Sequence, residues 1–271
     1  MGAVNFSIDI NLINFLTNHI HFDMFIETGT FEGDTLDIIK SYFPKCISIE
    51  YSHEYYVKAL SRFENDDTVT ILHGDSGEVL ADLFSKTNDY SILFWLDAHQ
   101  CEFDGEAGNL LQTPILQELA AIKQLGPNSV ILIDDARLYL CPPSKPYDYL
   151  QWPGLNEIYF HLRELSENHI LAVYNDVIVY YPKALKSSFG EFSQAYSVDW
   201  LDIMNKYKNY VICYKEIEEK EAVIQDQHRQ LIEKEYEIQR YNEFLQLVRD
   251  LRFIELIKKI MRFIKQIRLK H

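Results

Sequence analysis

The chain of 271 residues predicts an α/β protein built on a doubly wound, Rossmann-like sheet with a long helical tail. Three observations carry this. Between Asp23 and Pro182 short apolar, β-branched or aromatic runs alternate with longer stretches of helical period, the pattern of parallel strands joined by crossover helices. Each of the first five runs ends in a polar residue. Only Asn175-Asp176 separates the last two runs, too short for a parallel crossover, so those two form an antiparallel hairpin at one sheet edge.

In chain order, residues 1–22 read as an N-terminal helical segment and residues 23–182 as the sheet domain. The strand runs are Asp23–Glu27, Cys46–Glu50, Val69–His73, Ile92–Asp97 and Val130–Asp134. Helical stretches lie near 34–43, 52–63, 76–85 and 113–125, with Ser52, Ser76 and Thr113 placed as N-caps. After Asp134 a Pro-rich stretch (CPPSKPYDYLQWPG) leads to a helix near 155–165 and to the hairpin runs Ile170–Tyr174 and Val177–Tyr181. Residues 183–209 read as a linker.

From Tyr210 to the end there is no Gly or Pro, and the stretch reads as one long helix. Ile217, Ile224, Leu231, Ile238 and Leu245 repeat every seven residues, like one seam position of a coiled coil, but Glu221, His228, Glu235 and Asn242 leave the other polar. A weak coiled coil and a solvated helix with one apolar stripe both satisfy this pattern. Past Val248 the period becomes that of a basic amphipathic helix. Phe253, Ile254, Ile257, Ile260, Met261, Ile264 and Ile267 share a face, with Arg252, Lys258, Lys259, Arg262, Lys265 and Arg268 around it. Such a face suits an anionic membrane surface, a partner helix, or packing on its own domain or its twin.

Charge and cysteine usage exclude several classes. Lys and Arg number 26 and Asp and Glu 41, for a net charge of -15, which repels phosphate backbones and argues against nucleic acid. Residues 1–182 carry a net -18 and residues 183–271 a net +3, so the two parts have different jobs. Cys46, Cys101, Cys141 and Cys213 lack metal-ligand spacing, and no apolar run reaches the ~18–20 residues of a spanning helix. The first residues resemble neither a secretory leader nor a myristoylation signal, where Phe6 replaces the needed hydroxyl. The expectation is a cytoplasmic protein, peripheral to a membrane if it meets one.

The chemistry-bearing residues fall at strand ends. Glu27-Thr28-Gly29-Thr30-Phe31-Glu32-Gly33 follows a strand and opens a helix, so its glycines let backbone approach a ligand, or simply make a tight turn. The spacing is not the G-x-G-x-x-G of a dinucleotide site. It resembles the first motif of the class I S-adenosylmethionine-dependent methyltransferases, an acidic residue followed by Gly-x-x-x-Gly, with Phe31 where that family usually adds glycine. The resemblance implies that Glu27, Thr28, Gly29, Thr30 and Gly33 contact the cofactor, Glu27 and the Gly29 backbone at its amino-acid end. Glu50 ends the second run where a carboxylate accepts from a ribose diol, a role that NAD would share. His73-Gly74-Asp75-Ser76 resembles the family's adenine segment, which implies Asp75 and Ser76 there; Asp75 also suits a helix N-cap.

Asp97-Ala98-His99 and Asp134-Asp135 end the fourth and fifth runs and should meet at the mouth of the sheet, where an open α/β sheet binds its substrate. Clustered carboxylates repel, and a hard cation such as Mg²⁺ offsets this. Asp97, Asp134 and Asp135 resemble the metal set of the macrocin-type sugar O-methyltransferases, which implies a Mg²⁺ site, Asp97 beside cofactor and metal, and His99 as general base. A metal-bound sugar hydroxyl would be deprotonated by imidazole near neutral pH. Solvated strand ends and a loop histidine are the plain alternatives. A loop, Gln100 to Gln112, with Glu102, Asp104, Gly105, Glu106 and Gly108, is long enough for a lid, and Arg137, Tyr139, Tyr147, Tyr149 and Trp152 could flank the cleft.

Together these readings imply an S-adenosylmethionine-dependent O-methyltransferase, Mg²⁺-assisted, acting on a hydroxyl of a sugar or glycan, with the tail joining two copies or meeting a membrane. Two rivals stand beside it. One is an NAD-dependent sugar oxidoreductase or epimerase, against which stand the missing glycine fingerprint and the absence of a Tyr-x-x-x-Lys pair. The other is a non-catalytic head on a coiled-coil interaction protein, against which stands an acidic cluster that a dead site has no need to keep.

Overall fold

A computed structural model describes residues 7–84, 90–99 and 111–268, without the side chains of 263 and 266–268. The lid reading on Glu102, Asp104, Gly105, Glu106 and Gly108, Cys101, and the tail side chains of Ile267 and Arg268 lie outside the described residues. The chain divides into two units, residues 1–198 and 199–271.

The first unit is built on a seven-stranded sheet: β1 (Met24–Thr28), β2 (Cys46–Glu50), β3 (Val69–His73), β4 (Ile92–Leu96), β5 (Val130–Ile133), β6 (His169–Tyr174) and β7 (Val177–Pro182), in the order β3-β2-β1-β4-β5-β7-β6. The pairs among β1 to β5 are parallel, and β7 runs antiparallel to both β5 and β6. The hairpin therefore folds back, so that its second strand meets β5 and its first takes the edge. Strands β1, β2, β4, β5 and β7 are buried at every position, which is why they read as continuous apolar runs.

Alternate strand residues face two separate cores. Phe25, Leu93, Trp95, Leu132 and Tyr181 pack under α1 (Ile10–His19), α2 (Asp34–Ile39), α3 (His53–Arg62) and α8 (Lys186–Tyr196). Ile26, Phe94, Ile131, Ile133 and Ile178 pack under α4 (Ser76–Phe84), α5 (Ile115–Ile122) and α7 (Leu155–Leu165). A short α6 (Arg137–Leu140) follows β5.

Several expectations need correction. Residues 183–209 hold α8 instead of a linker. Phe189 and Phe192, three apart on one helix face, pack on Phe15, Tyr174 and Tyr181, with ring centroids 4.7 Å apart for Phe15–Phe192 and 4.4 Å for Tyr181–Phe189. Gly190 and the serines around these rings hid the period. Phe189→Ala would cost about 3–5 kcal/mol as a large-to-small change in this cluster. Thr113 is not the cap of α5, since Pro114 stands there, and α4 is capped by the Asp75 carboxylate, which accepts from the Glu78 amide at 3.1 Å, not by Ser76.

The second unit is α9 (Trp200–Arg268), one helix of 69 residues. It begins ten residues before Tyr210 because Asp199 accepts from the amides of Leu201 (2.8 Å) and Asp202 (3.2 Å), capping its first turn. No described helix is long and apolar enough to cross a membrane.

Candidate active site

The first loop is shaped by residues in the left-handed region. Gly29 has φ +81°, and a Cβ there would stand 2.6 Å from the Asp97 carbonyl, so glycine is required both by conformation and by the approach of β4. The Thr28 carbonyl and hydroxyl both accept from the Asp97 amide at 3.2 Å, tying the ends of β1 and β4 together. Gly33, at φ +80°, opens α2 against the Phe63 ring, which a Cβ would approach to 2.8 Å. Phe31 itself takes φ +49° and turns its ring onto Tyr55.

Glu50 braces this turn. Its two carboxylate oxygens accept from the amides of Phe31 and Ser52, each at 2.8 Å. Behind it, Thr30 and Ser48 hydroxyls lie 2.6 Å apart, and Ser48 donates to Glu27 at 2.5 Å. Glu27 is fully enclosed. Burial pushes its carboxyl up to about 8 against the pull of Ser48, and the charges of Asp97 and Glu50 add to the rise.

Two further buried acids stand at the same ends of the strands. Glu118 reaches from α5 to accept hydrogen bonds from Ser76 and Thr28, and burial lifts it to about 7 beside Asp75 and Asp97. Asp134 is raised to about 8, first by burial and then by Asp97 and Asp135. One oxygen each of Glu118 and Asp97 is buried without a hydrogen-bond partner among the described residues. Nor does any Lys or Arg come within ion-pair distance of Glu27, Glu118 or Asp134 among them. This half of the mouth holds buried acids that stay largely protonated near neutral pH and that no described Lys or Arg pairs with.

The other half carries its own cations. Asp135, at φ +55°, lies 2.9 Å from His99 Nε2 through one oxygen and 2.5 Å from Arg137 Nη1 through the other. Burial pushes its carboxyl up, but the His99 hydrogen bond and charge and then Arg137 outweigh this and leave it below the usual carboxylate range. Arg137 also pairs with Asp176 at the tip of the β6–β7 hairpin, whose carboxylate accepts from the Arg137 amide at 2.9 Å and whose carbonyl accepts from the Ala136 amide at 2.7 Å. His99 Nδ1 stands 3.1 Å from Asp97 Oδ1, a close approach without hydrogen-bond geometry. The Trp152 ring lies 6.0 Å from the His99 ring and packs on Tyr139 and Tyr147, while Tyr149 is exposed.

The metal expectation does not fit this arrangement. Both oxygens of Asp135 are occupied by His99 and Arg137, and among the described residues no three His, Cys, Asp or Glu side chains come together to hold a metal ion. Asp97, Asp134 and Asp135 therefore do not form a Mg²⁺ set there; two of them instead flank His99. The structure does bring Glu27, Thr28, Gly29, Thr30 and Glu50 together, and joins Ser76 and Thr28 to one another through Glu118. Asp75 serves as the cap of α4, and Gly33 shapes the loop one turn away from the acids.

Glu118 and Asp176 escaped the sequence reading. Ile115, Glu118, Leu119 and Ile122 occupy one helical face, so a lone acid on a buried stripe was the available signal. Asp176 looked like an ordinary turn residue.

Solved structures similar to this chain include several named as methyltransferases. A candidate methyltransferase from Streptococcus mutans in complex with SAH aligns with 64% of this chain and 97% of its own, at 12% identity and TM-score 0.45. A candidate caffeoyl-CoA O-methyltransferase from Staphylococcus aureus aligns with 64% of this chain and 80% of its own, at 13% identity and TM-score 0.44. The N-methyltransferase NodS from Bradyrhizobium japonicum aligns with 64% of this chain and 94% of its own, at 12% identity and TM-score 0.42. No protein-family model matches the chain, and no curated protein matches it.

Proposed function

We propose that residues 23–182 bind S-adenosylmethionine and methylate a hydroxyl of a sugar or glycan, with His99 as the base. The observation that carries this reading is the set of buried carboxyls Glu27, Glu118 and Asp134, none of which pairs with a Lys or Arg among the described residues. A cationic ligand at the end of β1 would ionise them and supply the counter-charge they lack. S-adenosylmethionine supplies an ammonium and, in its sulfonium, an already activated methyl group. NAD would instead bring a pyrophosphate to the same loop, beside Glu27 and Asp97, where like charge opposes it.

In this reading Glu27 holds the ligand ammonium, the Gly29 backbone lets it approach, and Glu50 accepts from the ribose. Asp75 and Ser76 line the adenine side. Asp135, fixed by Arg137, accepts a hydrogen bond from His99 Nε2 and orients the ring, and His99 takes the acceptor's proton as the C–S bond gives way to a C–O bond. A hydroxyl needs such a base, whereas a neutral amine does not. The exposed Tyr149 ring offers an aromatic face for a sugar. No step requires a divalent cation, because Arg137 and His99 already neutralise Asp135.

Calorimetric titration of the whole protein with S-adenosylmethionine and with NAD⁺, in buffers of different ionisation enthalpy and with EDTA, tests this. Saturable S-adenosylmethionine binding with proton release from the buried acids, unchanged by EDTA, is expected. Binding of NAD⁺ without S-adenosylmethionine would overturn it.

A further inference from the structure

From the last third of α9 we infer a docking surface for an anionic lipid bilayer, with the helix lying in the plane of the membrane. Phe253, Ile254, Ile257, Ile260, Met261 and Ile264 are all at least 44% exposed in the structure, so their apolar area is left in water. At about 100° per residue these six fall within an arc of roughly 120°. Lys258, Lys259, Arg262 and Lys265 occupy an opposite arc of roughly 120°. From Leu256 to His271 the sequence holds six Lys or Arg and no Asp or Glu.

That single sign of charge chooses the occupant. Two copies packed through the apolar arc would leave both basic arcs without a counter-charge, and a coiled-coil seam is flanked by residues of both signs, which this stretch lacks. A bilayer carrying anionic headgroups matches both faces at once: the apolar arc enters the headgroup boundary and the basic arc meets the lipid charge. The helix cannot cross instead, because no described window is long and apolar enough. The surface works against the net charge of -15 on the whole chain, so attachment is confined to this segment.

The experiment floats the full-length protein with phosphatidylcholine vesicles, pure or containing about one third phosphatidylglycerol, at low and high salt. Co-flotation with the anionic vesicles alone, weakened by salt, is expected. Changing Lys258, Lys259 and Arg262 together to Gln should lower partition roughly 100-fold. Ile257→Asp with Ile260→Asp should abolish it. Both sets of changes lie on exposed positions, so the circular-dichroism melt of the first unit should stay in place. Equal flotation with neutral vesicles, or none with either, would overturn the inference. So would a concentration-dependent doubling of mass in sedimentation that the Ile257 and Ile260 changes remove, since that would assign the face to a second copy.

Discussion

The two halves of the sheet mouth handle the same problem in opposite ways. Beside β1, Glu27 and Glu118 are buried with hydroxyl partners only, and both carboxyls are pushed up toward neutrality. Beside β5, Asp135 is equally buried, yet His99 and Arg137 hold it as a carboxylate. Burial alone therefore does not decide the state of an acid here; the neighbouring cation does. In the proposed function the first half would receive a cation brought by the ligand, and the second would supply a base already braced.

Removing the base should have the largest effect and keep the halves distinct. His99→Ala is expected to lower kcat about 10²–10⁴-fold while S-adenosylmethionine affinity is retained, as read by steady-state kinetics beside calorimetry. Glu27→Gln should do the reverse to binding, weakening S-adenosylmethionine by about 3–5 kcal/mol because the ligand ammonium then lacks its buried counter-ion. If instead Glu27→Gln spared binding, the distinction between receptor and base would collapse. Gly29→Ala is expected to lower stability by about 1–3 kcal/mol through its positive φ and the contact with the Asp97 carbonyl, read as a shifted denaturant midpoint.

The smallest effect per step is one of pH. Glu27 holds its proton up to about 8 in the fold but releases it near 4.5 when unfolded, so between these values the native state binds the extra proton and ligand-free stability falls as pH rises. The slope is about 1.4 kcal/mol per pH unit for one proton. Asp134 and Glu118 act in the same direction, to about 8 and about 7. Asp135, held low, acts oppositely: its contribution is present above the usual carboxylate range and is lost as pH falls through its depressed value. Glu27→Gln should flatten the alkaline limb of the stability curve without changing the acid limb.

Much of this architecture was legible because its determinants are local. Buried parallel strands need continuous apolar runs, and the Asn175-Asp176 connection permits only a hairpin, so the strands were found within a residue or two. The Glu27-to-Gly33 loop was legible for the same reason, since its glycines sit where the backbone turns left-handed. What failed depended on partners far along the chain. Asp134-Asp135 looked like metal ligands because nothing in a dipeptide shows that Arg137 will fold back on one carboxylate, or that Asp176 will hold Arg137 from 39 positions away. The linker reading failed because Phe189 and Phe192 find their partners, Phe15 and Tyr181, in other parts of the unit.

The pairing of Arg137 with Asp176 also sets an order of events during synthesis. A nascent chain that has delivered all five strand-end acids still lacks the hairpin that braces Asp135. The Asp9 carboxylate, which caps the first helix, also accepts from the Tyr174 hydroxyl 165 positions later at 2.9 Å. Long-range closure of this kind is slow relative to local helix formation. The brace on Asp135 is thus complete only once the sixth and seventh strands have been made.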